Sequence, residues 1–175
     1  MLALARARNV RLMGFDVDGV LTGGGLHFSA DGDVMKAFNS RDGLGMKLLA
    51  TGGIRLAIIT GRKSALVERR AENLGIDLIF QGVEDKRAVM AELLASEGLD
   101  FAQAGYMGDD VVDLAVMAAC GFAATVPDGH PLVKQRAHYV ARAPAGGGAA
   151  REVCELILRA QGKLDIALAP HQPPA

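Results

Sequence analysis

Short apolar segments that each run into polar, chemistry-bearing residues constrain this chain more than any other feature. The run Val10-Arg11-Leu12-Met13-Gly14-Phe15 passes directly into Asp16-Val17-Asp18-Gly19. An apolar segment stopped by aspartate and glycine reads as a buried strand ending in a loop. Leu56-Ala57-Ile58-Ile59 ends in the same way at Thr60-Gly61-Arg62-Lys63. Ile76 to Phe80 runs toward Asp85 and Lys86, and Ala104 to Met107 meets Gly108-Asp109-Asp110. Between these strands, apolar residues recur at helical spacing: Leu44, Leu48 and Leu49, then Val89, Met90, Leu93 and Leu94, then Leu114 and Met117. A further helix runs to Asn73 and stops near Gly75. Repeated strand–helix units predict an α/β fold, a largely parallel, Rossmann-like sheet with helices on both faces. The carboxyl ends of such strands share one edge, and ligands bind there.

The remaining segments fit around that frame. After the first strand, Thr22-Gly23-Gly24-Gly25 leads into Leu26-His27-Phe28 and then Val34 to Phe38, with Asp31-Gly32 as a turn pair between them. This predicts a small β-hairpin insertion over about residues 22–38. Phe122-Ala123-Ala124 and His138-Tyr139-Val140 read as strands around a short helix at Pro131 to Gln135. A loop at Gly146-Gly147-Gly148 precedes a last helix with Val153, Cys154, Ile157 and Leu158 on one face. One domain is expected over residues 1–165, and a disordered tail over 166–175.

Composition excludes several classes. The chain has 175 residues, half of them apolar, and no Trp, so it supports an aliphatic core of ordinary size. A net charge of -1 gives no electrostatic case for binding nucleic acid or an anionic membrane. Cys120 and Cys154 lie far apart inside apolar segments, as reduced core residues do. Arg6, Arg8 and Arg11 mark an N-terminus without the apolar stretch of a signal peptide, and no run approaches a membrane span. A cytoplasmic protein is expected.

The polar residues past the strand ends suggest one chemistry. Asp16 and Asp18 repel each other unless a cation sits between them, and a hard ion such as Mg²⁺ with oxygen ligands suits that role. A strand followed by an Asx-type turn explains the pair on its own equally well. The wider set decides, because Thr60, Lys86, Asp109, Asp110 and Asp113 all follow strands and so converge on one edge. Carboxylates, a hydroxyl and an ammonium around Mg²⁺ suit phosphoryl transfer. One carboxylate attacks phosphorus, another handles the proton, and Thr60 and Lys86 hold phosphoryl oxygens. Phospho-acceptor receiver domains combine similar residues, but there the acceptor aspartate follows a later strand and precedes the Thr and Lys.

Asp16 to Thr22 (DVDGVLT), Thr60, Lys86 and Gly108 to Asp113 (GDDVVD) together resemble the motifs of the haloacid dehalogenase-type phosphatase superfamily, in order. The resemblance implies that Asp16 is the nucleophile, Asp18 the acid/base, and Asp16, Asp109 and the main-chain carbonyl of Asp18 the Mg²⁺ ligands. Asp110 and Asp113 are left as support or helix caps. Lys36 to Leu49 (KAFNSRDGLGMKLL), Ile58 to Ser64 (IITGRKS), Gln81 to Lys86 (QGVEDK), His130 to Val133 and Ala150 to Asp165 narrow the resemblance. Together they are similar to the 3-deoxy-D-manno-octulosonate 8-phosphate phosphatase family. That family implies a capless, Mg²⁺-dependent homotetramer that releases phosphate from a sugar phosphate in lipopolysaccharide synthesis. It also implies substrate contacts at Asp18, Asn39, Ser40, Arg41, Asp42, Gly43, Lys47, Arg62, Arg70 and Lys86, some across a subunit boundary.

The spacing agrees with a capless enzyme. Neither the stretch from Asp18 to Thr60 nor that from Thr60 to Lys86 has room for a separate cap domain. A neighbouring subunit meeting the hairpin is the expected cover. Arg41 and Arg62 lie at the active edge, where guanidinium groups pair with carboxylate or phosphate. Arg151 reads as a sugar contact or a helix cap, and His130 as structural. All-glycine at Gly146 to Gly148 departs from the family, where relatives carry a bulkier polar residue. Two other readings stand beside this one: a phosphatase for the nine-carbon relative 2-keto-3-deoxynonulosonate 9-phosphate, and a non-catalytic assembly domain like those of sugar cytidylyltransferases.

Overall fold

The computed structural model describes residues 2–30 and 32–173. The expected turn residue Asp31 and the last two residues of the tail, Pro174 and Ala175, lie outside the described residues. The chain opens with α1 (Leu2–Ala7) and β1 (Leu12–Phe15), followed by the hairpin strands β2 (His27–Ser29) and β3 (Gly32–Met35). Next come α2 (Ser40–Thr51), β4 (Arg55–Thr60), α3 (Ala65–Leu74), β5 (Leu78–Gln81) and α4 (Lys86–Ser96). The second half holds β6 (Ala104–Met107), α5 (Leu114–Ala119), β7 (Phe122–Thr125), α6 (Pro131–Arg136), β8 (Tyr139–Val140), α7 (Ala149–Ala160) and α8 (Leu164–Leu168).

The main sheet runs β5-β4-β1-β6-β7-β8, and its pairings are all parallel. The chain starts at the centre, builds outward through β4 and β5, then returns to the other side of β1 for β6 to β8. The switch point therefore falls between β1 and β6. Phe15 is in register with Ile58 of β4 and Met107 of β6, so Asp16 emerges level with the ends of both neighbours.

Strand alternation separates two apolar layers. Met13, Phe15, Leu56, Ile58 and Met107 face one side, against Met46 and Leu49 of α2, Val67 and Ala71 of α3, and Val153 and Ile157 of α7. Leu12, Ala57, Ile59, Ala104 and Tyr106 face the other, against Met90, Leu93 and Leu94 of α4, Val116 and Met117 of α5, and Val133 of α6. The layers are aliphatic and methionine-rich, as the composition requires. Gly14 is the exception that the packing needs. A Cβ there would lie 2.8 Å from the Tyr106 ring and 2.9 Å from Met90, so its absence lets Tyr106 lie across β1.

The structure departs from the expected elements or adds to them in three places. The third strand begins at Leu78, not Ile76, because Ile76 serves the preceding helix end. Gly75 takes the left-handed conformation (φ 72°), and the Ile76 N–H donates to Ala71 O at 3.0 Å. Of the residues expected as a tail over 166–175, those to Leu168 lie in α8 and Ala169–His171 form a single turn. Ala167 is buried, and Leu164 and Leu168 pack against the α2–α7 layer, so apolar contact holds α8 against the body. Finally, α1 is a helix where only a basic N-terminus was read. Buried Ala7 and a hydrogen bond from Arg6 to Gly121 O attach it to the body.

Candidate active site

The end of β1 fixes Asp16. Its N–H donates to Met107 O at 2.9 Å, and its own carboxylate accepts the Val17 N–H at 2.7 Å. The chain then turns tightly, with the N–H groups of Val20, Leu21 and Thr22 all donating to Val17 O. Gly19 makes this turn at φ 88°, and a Cβ there would stand 2.0 Å from Asp109 Oδ2. Glycine is required twice over, for the left-handed backbone and for the Asp109 carboxylate beside it.

Lys86 comes in from the start of α4, whose N-cap Asp85 accepts the Ala88 N–H at 2.9 Å. Its Nζ lies 2.9 Å from Asp16 Oδ2 and 2.6 Å from Asp113 Oδ1. Burial disfavours its charge, but Asp16 and Asp113 together hold its pKa above the usual lysine value. Asp113 is fully buried and its oxygens are committed. Oδ2 accepts the N–H groups of Asp109 and Asp110, and Oδ1 also faces the Tyr106 hydroxyl. Tyr106 thus connects Gly14 in the core to the brace beneath the site.

Asp16, Asp109 and Asp113 each offer a carboxylate oxygen, all within 4.8 Å of one another. Burial is the main cause that raises the Asp109 carboxyl to about 7, helped by the charges of Asp16, Asp113 and Asp110. Burial, then Asp113, raises Asp16 as well, despite Lys86. Three hard anionic donors and one lysine leave net negative charge in a partly desolvated cleft. That donor set fits Mg²⁺. Each Asp113 oxygen already accepts two donors, Lys86 and Tyr106 on Oδ1 and two N–H groups on Oδ2, whereas each Asp16 oxygen faces one, so Asp16 and Asp109 have more capacity to face an ion.

Asp18, the second residue of the acidic pair, is bound from the hairpin. Lys36 Nζ lies 2.6 Å from its Oδ1, and Thr22 Oγ1 approaches the same oxygen at 3.4 Å. Oδ2 is buried without a hydrogen-bond partner among the described residues, with Arg62 Nε 3.9 Å away. Asp16, Asp18, Thr60, Arg62, Lys86 and Asp109 line one cleft of about 180 Å³, which Asp110 and Val112 help to close. Arg62 also borders a larger cleft of about 620 Å³ between Phe28 on the hairpin and Lys63 to Leu66 at the start of α3.

The structure does not bring Asn39, Ser40, Arg41, Asp42, Gly43, Lys47 or Arg70 into that cleft. Asn39 caps α2 and donates to Gly146 O, while Arg41 donates to Gly147 O. Asp42 is buried and accepts the N–H groups of Gly148 and Arg151 at 3.2 and 2.9 Å, which holds the start of α7 against α2. Gly43 leaves room for Arg70, which donates to Asn39 O and lies over the Phe38 ring. Ser40 and Lys47 are exposed on α2. His130 caps α6, Asp110 caps the turn at Val111–Asp113, and Arg151 pairs with Glu155.

One residue beside the site escaped the sequence-based candidates, and a second was left open. Asp113, left as support or a helix cap, is the buried acceptor that holds Lys86. Lys36 opens the KAFNSRDG segment, but nothing in the sequence places it against Asp18.

No protein-family model matches the chain. It is 48% identical over 162 residues to the 3-deoxy-D-manno-octulosonate 8-phosphate phosphatase KdsC of Yersinia pestis, covering 93% of this chain and 87% of that protein. Among solved structures, it is similar to 3-deoxy-D-manno-octulosonate 8-phosphate phosphatase from Moraxella catarrhalis in complex with magnesium, phosphate and KDO. The TM-score is 0.94 and the identity 41%, over 97% of this chain and 98% of that one. The cobalt-bound deoxy-D-mannose-octulosonate 8-phosphate phosphatase from Haemophilus influenzae matches with a TM-score of 0.89 and 41% identity, over 92% and 94% of the two chains.

Proposed function

The chain belongs to the 3-deoxy-D-manno-octulosonate 8-phosphate phosphatases of the haloacid dehalogenase superfamily, and from this we propose that it hydrolyses that sugar phosphate to the free sugar acid and inorganic phosphate. It is a Mg²⁺-dependent phosphomonoester hydrolase, and its place is in lipopolysaccharide biosynthesis. The observation that carries the reading is the meeting of Asp16, Asp18, Thr60, Lys86 and Asp109 around one cleft at the sheet's switch point.

In this reading a carboxylate oxygen of Asp16 attacks phosphorus and forms an aspartyl-phosphate as the bond to the sugar oxygen breaks. Asp18 gives its proton to that leaving oxygen. It then takes a proton from the water that attacks phosphorus, which frees phosphate and restores the Asp16 carboxylate. Thr60 and Lys86 hold phosphoryl oxygens, with Lys86 already oriented by Asp113. Asp16, Asp109 and the main-chain carbonyl of Asp18 would hold Mg²⁺, which offsets charge between the phosphoryl group and Asp16 when bound. Arg62, exposed at the cleft mouth, suits an anionic substrate.

We also infer a homotetramer in the cytoplasm. Phe28 is 58% exposed and Met35 52% on the protruding hairpin, and a second subunit covering it would also bring the exposed Ser40, Arg41 or Lys47 toward a neighbour's substrate. Light scattering that gives only the monomer mass would remove this part. The substrate itself is tested by phosphate release from matched eight-carbon and nine-carbon keto-sugar phosphates, with and without Mg²⁺. The expected result is a strong Mg²⁺-dependent preference for the eight-carbon compound. Preference for the nine-carbon compound would reassign the substrate, and release from neither would overturn the reading.

A further inference from the structure

The hairpin and the acid/base carboxylate are joined through one side chain. Lys36 leaves β3 and turns inward, so that its side chain is only 3% exposed although β2 and the neighbouring Met35 are exposed. A lysine loses much rotamer freedom when buried, and its ammonium needs strong partners to be held out of water. The partner in the site is Asp18 Oδ1, at 2.6 Å. Thr22 Oγ1, in the turn after β1 that leads into the hairpin, reaches the same oxygen at 3.4 Å. The residue that follows β3 and the turn that precedes the hairpin therefore meet at one oxygen of Asp18. The other oxygen, Oδ2, has no hydrogen-bond partner among the described residues, and Asp18 borders the cleft.

We propose that Lys36 is a positioning residue: by holding Oδ1, it aims Oδ2 of Asp18 at the leaving-group oxygen of the phosphate ester. The inference rests on the reading of Asp18 as the acid/base, and it adds that the hairpin orients the group that moves the proton. Lys36 itself touches neither phosphorus nor the sugar in this scheme. A lysine that only tethered the hairpin to the body would support turnover of every phosphate ester alike. A lysine that aims the proton donor matters in proportion to how much the leaving group needs the proton.

The test is Lys36→Met, with Lys36→Gln as a second variant of different shape, assayed beside the native protein and Asp18→Asn. Each is given an alkyl phosphate, the eight-carbon sugar phosphate, and an aryl phosphate whose phenolate leaves unaided. Asp18 also serves the hydrolysis of the aspartyl-phosphate, which both esters share. The comparison is therefore made on kcat/KM, which reports only the steps through departure of the leaving group. Positioning predicts that kcat/KM for the alkyl ester falls by about tenfold or more while that for the aryl ester changes by less than about threefold. Inhibition by tungstate should stay near the native value, and Lys36→Arg should recover part of the alkyl activity. Equal losses on both esters, or no loss on either, would overturn the proposal. If Asp18→Asn itself shows no difference between the esters while native turnover is normal, the acid/base reading fails and takes this inference with it. Loss of folded signal in both uncharged variants would make Lys36 a structural tether and likewise overturn it.

Discussion

Magnesium affinity should depend on pH through Asp109, and the structure sets the size of the effect. Burial and the neighbouring charges of Asp16, Asp113 and Asp110 raise that carboxyl to about 7 in the metal-free protein. A metal binds the carboxylate and displaces the proton, so apparent affinity falls wherever the group is protonated. The sign follows: weak binding below pH 7, rising with pH, and a plateau above. About one carboxyl in ten is ionised at pH 6 and about nine in ten at pH 8, so this group alone strengthens Mg²⁺ binding by about tenfold between them. Asp16, also raised by burial and by Asp113, steepens the dependence and does not reverse it. Isothermal titration of Mg²⁺ at pH 6, 7 and 8, at constant ionic strength and in buffers of different ionisation enthalpy, measures both affinity and proton release. A change below about threefold, or no proton release at pH 6, would refute the electrostatic account of the cluster.

Two substitutions separate bracing residues from binding ones. Asp113→Asn removes a charge that raises Asp109 and halves the acceptors available to Lys86 and two N–H groups, so turnover should fall by about tenfold or more. The same change should also flatten the pH dependence of Mg²⁺ binding, which titration would show. Asp42→Ala removes the acceptor for Gly148 and Arg151 N–H at the start of α7, and should lower stability in a urea titration by about 1–2 kcal/mol, as loss of a helix cap does. Its Mg²⁺ affinity should not change. A rise in KM with unchanged stability would return Asp42 to the substrate contacts.

The parts of the site that stand at strand ends were legible in the sequence, and the parts that depend on packing were not. Asp16, Thr60 and Asp109 each follow a short apolar run, so a parallel sheet alone brings them to one edge. Asp113 looked like a helix cap and does cap a turn, but its burial under Lys86 depends on Tyr106 crossing Gly14, a contact between strands with no local signature. Lys36 lies in a segment whose spacing fits a solvent-facing hairpin, and its inward turn follows from where Asp18 stands. Asn39 to Gly43 show the reverse. Their polar, glycine-containing pattern resembles a substrate loop, yet within one chain it serves to attach the loop at Gly146 to Gly148 and the start of α7 to α2. At the C-terminal end, Leu164, Ala167 and Leu168 pack α8 against the body, a contact with the α2–α7 layer that no local pattern announces.

The central claim is that this cleft performs phosphoryl transfer through Asp16. The most direct measurement is to quench the enzyme in acid within its first turnover of phosphorus-labelled eight-carbon substrate, then map the label to a peptide. The account predicts label on the peptide that contains Asp16, dependent on Mg²⁺ and absent from folded Asp16→Asn. Label on another residue, or full turnover by Asp16→Asn, would contradict it.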